Sequence, residues 1–198
     1  MDQMQAKEKL KEVEYFLIAL RRTSQNPEEF NYNLSAFLSA LRSVPEFMLY
    51  DFADRYSLSF TREDYLTDDI FAVAAKVLRR QDVLDFLNSW RQNLGRLNQN
   101  SLFRKRVRSV HRGYPPLVYD YAVNTSGTIT SRFFQEPTSI IRDAPANPTI
   151  FPAANPSPRF EIQFPDFPNQ NALDVCQDTF NEVRGFVETA ERDYWPKP

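Results

Sequence analysis

Ten of the fourteen prolines fall between Pro115 and Pro168. Proline fixes φ and removes a backbone donor, so no helix of ordinary length runs through that stretch. Helices are thereby confined to the residues before 115 and after 168. In both regions the apolar residues recur at spacings of three and four, the pattern of helices with one buried face.

Residues 5 to 22 carry Leu10, Val13, Leu17 and Leu20 on one stripe, with Phe16 beside it and Lys and Glu on the other face. Asn26-Pro27-Glu28-Glu29 is a helix start: an N-cap, a first-turn proline and acids at the positive end of the dipole. The second helix places Phe30, Leu34, Phe37, Leu38, Leu41 and Val44 inward. Pro45 is expected to kink or break it, with helix continuing from Glu46 to Tyr56. Small residues Ser35, Ala36, Ser39 and Ala40 leave room for a close neighbour, and Arg42 is assigned to the surface in preference to the alternative, that it reaches the basic residues 104–112. Residues 57 to 66 form a connector. Thr67-Asp68-Asp69 caps a third helix, Ile70 to about Arg80, with Ala72, Val73 and Val77 inside. From Gln81 the positions Val83, Leu84, Leu87, Trp90, Leu94 and Leu97 keep a helical period until Asn98-Gln99-Asn100 interrupts it.

Within the proline-rich region, Leu117 to Val123 and Thr128 to Phe134 read as two strands around the turn Asn124-Thr-Ser-Gly127. Residues 137 to 158 read as irregular and polyproline-like. Arg159 to Phe164 alternates strictly and reads as a further strand, so a small sheet or an arm packed on the helices is expected. The last helix, about Ala172 to Tyr194, has Leu173, Cys176, Phe180, Val183 and Val187 on its apolar stripe. The fold class is therefore mainly α: an antiparallel helical bundle over residues 1–114, a β-hairpin and proline-rich arm over 115–168, and a C-terminal helix within 169–198 that packs back on the bundle, one domain overall.

Several chemistries are excluded by scarcity. The chain has one cysteine, Cys176, and one histidine, His111, so neither an intrachain disulfide nor a zinc site of Cys and His ligands is expected. Cys176 belongs to a core stripe, which separates it from a Cys–His nucleophile pair. The four glycines are too far apart for a phosphate-cradling loop. No cofactor and no metal are expected. The N-terminal residues do not read as a signal peptide, and no apolar run is long enough to span a bilayer. A cytoplasmic location and no membrane partner are the expectations.

The chemistry concentrates in Ser101 to Tyr114. Five cations, Arg104, Lys105, Arg106, Arg108 and Arg112, and the only histidine stand together in a chain of net charge -2. Leu102, Phe103, Val107 and Val110 have helical spacing, which gives a helix with one buried and one basic face. Ser101 is taken as its N-cap, and Gly113 with Pro115 and Pro116 stops it. Arg104 and His111 are seven apart and share a side of that helix. Arg106 lies about 140° round from His111, within reach of its long side chain, and Arg108 is three residues away.

Arg followed by His after four to six residues, near the end of a helix, resembles the signature of the HEPN superfamily. Arg106 with His111 and Arg104 with His111 both fit that spacing. Residues 30 to 44, with Asn33-Leu-Ser-Ala-Phe-Leu-Ser-Ala-Leu-Arg-Ser-Val44, look like the second helix of such proteins, and the two likenesses cover about the first 115 residues. The resemblance implies an all-α domain with metal-independent endoribonuclease activity, His111 and Arg106 or Arg104 as catalytic residues, and a composite site across a homodimer. RNA would contact Arg104, Lys105, Arg106, Arg108, Arg112 and Tyr114. A toxin or defence role is implied as well, with a cognate antitoxin or nucleotidyltransferase as partner. In toxin pairs a Tyr two residues after the His is modified; here that position is Gly113, and Tyr114 follows it. Lys105 and Val107 stand where the family often has Asn, Asp or His. A non-catalytic module of the same fold, binding nucleic acid, a nucleotide or another protein, is the alternative.

Overall fold

The computed structural model describes residues 4–58, 66–103, 117–123, 129–135, 159–164, 166–167 and 170–195. The described part is mainly helical. Helix α1 runs Gln5–Arg22 and buries Ala6, Leu10, Val13, Leu17 and Leu20. Met4 at its N-cap makes no side-chain capping bond. That role falls to Asp51, on another helix, whose two carboxylate oxygens accept from the backbone N–H groups of Gln5 at 2.9 Å and Ala6 at 2.8 Å.

Helix α2 runs Pro27–Arg55, capped by the Asn26 side chain, which accepts from the Glu29 N–H at 3.3 Å. The kink or break expected at Pro45 does not divide it: α2 is one helix of 29 residues. A proline inside a helix costs about 3 kcal/mol. Leu41, Val44, Met48, Leu49 and Phe52, on both sides of Pro45, are all buried in one core. Burying each such side chain contributes about 1.5–3 kcal/mol, so their sum holds the two halves together. The Pro45 carbonyl also accepts from the Trp90 indole N–H at 3.0 Å. The helix ends in a Schellman turn. Ser57 at φ 54° sends its N–H to the Asp54 carbonyl, and the buried Leu58 sends its own to Ala53.

Helix α3 is Asp68–Val77, with the Thr67 hydroxyl accepting from the Ile70 N–H. Its orientation corrects the expectation from sequence. Phe71 and Ala75 are buried, Ala72 is half-buried, and Val73 and Val77 face solvent. Phe71 is fully buried against Phe86 of the next helix, and burying that ring outweighs burying the valines. Asp68, Phe71 and Ala75 follow at spacings of three and four and share this face, beside which the exposed Arg91 guanidinium pairs with Asp68 at 2.7 Å and Asp69 at 3.0 Å.

Helix α4, Gln81–Leu97, buries Val83, Phe86, Leu87, Trp90 and Leu97. Phe86 was absent from the stripe read off the sequence. It stacks on Phe52 with ring centroids 3.7 Å apart, and Phe71 and Tyr56 tilt against it. Helix α5, Ala172–Tyr194, is capped by Asn171 and buries nine residues, Cys176, Phe180, Val183 and Val187 among them.

Contacts at opposite ends fix the directions. Asp51 reaches the start of α1 while Asn33 donates to Thr23 at its end, so α1 and α2 are antiparallel. Lys7 pairs with Glu191 and Arg21 with Gln177, so α5 is antiparallel to α1. Phe86 meets Phe52 and Arg42 meets Asn98, so α4 runs against α2. Arg91 with Asp68 and Phe86 with Phe71 turn α3 against α4. The Tyr56 hydroxyl donates to the Tyr194 carbonyl at 2.8 Å, closing α2 on α5, and Trp195 meets Phe52 edge-on. Burial, and after it the Asp82 charge, pushes the Tyr56 phenol up to about 12.

Strands β1 (Leu117–Val123), β2 (Ile129–Gln135) and β3 (Arg159–Gln163) form one antiparallel sheet in the order β2-β1-β3. Leu117 pairs with Gln135 across the hairpin, and Tyr119 with Ile162 on the other side. Ile162 and Phe164 are buried in the same core as the helices, and β3 lies against α5. Residues 137–158, read as irregular, lie outside the described residues apart from the start of β3 that follows them.

Burial pushes the Asp51 carboxyl above its ordinary value of 3.8, against the lowering effect of the Ala6 and Gln5 amides. The folded protein thus holds this proton more tightly than the unfolded chain. That stabilisation is complete below 3.8 and is lost as pH rises through the raised value. Asp51→Ala is expected to destabilise the fold by about 1–3 kcal/mol by leaving the two amides without their acceptor. Asp51→Asn, which cannot ionise, is expected to flatten the fall of the urea midpoint that begins above about pH 4.

Candidate functional site

The candidate site residues Arg104, Lys105, Arg106, Arg108, His111, Arg112 and Tyr114 lie outside the described residues. The residues that precede that stretch in the chain, 98–103, are described. Residues 101–103 are helical, with Leu102 and Phe103 buried. The helical turn does not start as expected. Its N-cap is Asn100, whose Oδ1 accepts from the N–H groups of Leu102 at 2.9 Å and Phe103 at 3.3 Å. An Asn side chain in that place satisfies two donors that a helix start leaves open. The same side chain donates through Nδ2 to Thr179 Oγ1 at 3.2 Å and Glu182 Oε2 at 3.1 Å, both on α5. Thr179 is itself buried and donates to the Val175 carbonyl.

Arg42 supplies the third anchor and revises its assignment to the surface. It is half-buried on α2. Its guanidinium sits 4.6 Å from the Phe103 ring centroid and donates to Asn98 Oδ1 at 2.6 Å. A guanidinium keeps its charge at any physiological pH, and its flat face suits an aromatic ring. A permanent cation therefore stands against the residue that immediately precedes Arg104. Nothing in the sequence spacing of Arg42 marks this, because the meeting is between α2 and a turn sixty residues later. At the other end, the stretch re-enters the described structure at Leu117, the first residue of β1.

Cys176 is fully buried on α5, and burial pushes its thiol well above the ordinary range, which leaves it a core residue. Among the described residues, no group of three or more His, Cys, Asp or Glu side chains is placed to hold a metal ion. No described helix is long and apolar enough to cross a membrane.

No family model, no curated protein and no solved structure matches this chain.

Two substitutions separate the observed cap from the expected one. Asn100→Ala is expected to lower stability by about 1–2 kcal/mol, since it removes a cap and two bonds to α5. Ser101→Ala is expected to change it by less than about 0.5 kcal/mol. Urea unfolding with an unchanged m-value reads both.

Proposed function

We propose that this chain is a HEPN-like protein that binds RNA through residues 104–112 and cleaves it without a metal. The observation that carries the reading is the concentration of five cations and the only histidine within nine residues of a chain whose net charge is -2. Arg42, fixed against Phe103, adds a cation at the root of that stretch and supports it.

Metal-free cleavage requires a base for the 2′-hydroxyl proton, an acid for the leaving 5′-oxygen and a cation for the charged phosphorane. His111 has the pKa class for proton transfer near neutrality. Arg106 or Arg104 offers a planar fork to phosphate oxygens. One histidine cannot hold both protonation roles at once, so the reading includes a homodimer that brings two copies of His111 to one cleft. The product would carry a 2′,3′-cyclic phosphate. A toxin or defence role, with an antitoxin or nucleotidyltransferase partner, extends the same proposal. The non-catalytic alternative draws on Lys105 and Val107, which stand where the superfamily often has Asn, Asp or His after its Arg.

The test is incubation of the pure protein with mixed RNA in EDTA. The reading expects cleavage with cyclic phosphate ends and a loss of about 10²–10⁴-fold in rate for a folded His111→Ala variant. It also expects RNA affinity that falls with salt, with the log–log slope reduced by about 1.4 in Arg104→Ala/Arg106→Ala, from about 0.7 per phosphate contact on single strands. A requirement for magnesium would defeat the metal-free reading, and an unchanged rate in a folded His111→Ala would leave the binding module as the function.

A further inference from the structure

Helix α3 presents an apolar stripe that its own bundle does not use. Val73 is 64% exposed and Val77 76%, with Leu78 at 44% just beyond the helix end. Ile70, half-buried, precedes Val73 by three residues, and Val77 follows it by four, so the three share one face. Burial of Phe71 and Ala75 on the other side of α3 turns this face outward. Large apolar side chains grouped on one exposed face mark a binding surface more often than scattered ones do.

The charges beside the stripe identify the occupant. Asp69 and Lys76 are seven residues apart and lie along the same edge of the stripe. A two-fold axis perpendicular to α3, passing between Val73 and Ala74, would set two copies of the helix antiparallel. It keeps each edge on its own side, so Asp69 of one copy meets Lys76 of the other about 3 Å away along the axis. The Asp69 side chain is 90% exposed, and Arg91 bonds only its Oδ1, which leaves Oδ2 available for a second cation. A parallel two-fold pairing would carry the two charged edges to opposite sides of the contact, where no Asp69–Lys76 pair forms. The pattern is thus complementary to itself only in the antiparallel, isologous arrangement.

We propose that the α3 face is a self-association surface whose partner is a second copy of this chain. Val73 packs on its counterpart at the axis, Ile70 of each copy covers Val77 of the other, and two Asp69–Lys76 pairs close the edge. A ten-residue helix is about 15 Å long and buries well under the roughly 800 Å² per partner of a standard interface. The association is therefore weak, micromolar or weaker, and governed by protein concentration. It does not rest on the proposed RNA chemistry, since it uses none of residues 104–116.

Sedimentation velocity over a wide concentration range tests it. The wild type is expected to shift from monomer to dimer. Val73→Glu, at a position already exposed in the monomer, is expected to weaken association at least about tenfold, because two carboxylates would face each other at the axis. Lys76→Glu weakens it, and adding Asp69→Lys restores it; thermal unfolding monitors the loss of the Arg91 bond in the second change. Under mild oxidation Val73→Cys is expected to give a disulfide-linked dimer, while Gln92→Cys, exposed on α4, does not. Three results would each overturn the proposal: a monomer at every concentration, a dimer indifferent to Val73→Glu, or a Val73→Cys thiol shielded from a soluble alkylating reagent in the monomer. The last would mean that this chain covers the face itself. A monomer at every concentration would also remove the dimer that the ribonuclease reading needs, whereas a dimer indifferent to Val73→Glu would overturn this proposal alone and leave that reading standing.

Discussion

A buried carboxylate ties the first two helices together. Asp51 stands one residue before Phe52 near the end of α2, and its two oxygens hold the first two backbone N–H groups of α1. Helix starts ordinarily leave such donors to water or to a local side chain. Met4 cannot serve, so the cap comes from forty-five residues away. The bond fixes which turn of α1 meets which turn of α2, and these two helices are the most extensively packed pair among the described elements. One residue on, Phe52 enters the aromatic cluster with Phe86 and Trp195, which gathers α4 and the end of α5. Register between α1 and α2 therefore passes through adjacent residues to the rest of the bundle.

The chain announces its helices more plainly than their rotations. Stripes such as Leu10-Val13-Leu17-Leu20 and Cys176-Phe180-Val183-Val187 are long and regular, and the bounds of α1 and α5 follow from them. Asn26 and Thr67 mark starts that the structure confirms as side-chain caps. The misreadings share a cause, which is tertiary override of a local rule. Pro45 does not break its helix, because the core takes apolar side chains from both sides of it. Val73 and Val77 look like core residues in a ten-residue helix, where two faces have similar apolar content; Phe71, packed on Phe86 of the next helix, selects the other one. Phe86 is the exception: it stands three residues after Val83 and four before Trp90, inside the period of the α4 stripe, and is legible from spacing alone. Asn100, one residue before the expected Ser101, is chosen as cap because Thr179 and Glu182 of α5 hold its amide end.

The candidate site divides along the same line. Its chemistry is legible as composition, in five cations and one histidine between residues 104 and 112. Its anchoring is not, because Arg42, Asn98 and Phe103 meet only through the fold. The structure adds a root held by three parts of the bundle: Arg42 of α2, Asn98 at the end of α4, and Thr179 with Glu182 of α5. Catalytic groups act well only when their supports are rigid. Under the proposed reading, this root positions a basic stretch whose next described residue is Leu117, at the start of β1.

Native-state hydrogen exchange at the amides of Gln5 and Ala6 tests the central claim most directly. First-turn amides normally exchange fast, since helix ends fray. If Asp51 holds α1 in register, both amides should be protected nearly as strongly as the interior of α1 and should lose that protection in Asp51→Ala. Rapid exchange of both in the wild type, with Leu10 to Leu20 still protected, would contradict it and would leave α1 held by its apolar stripe alone.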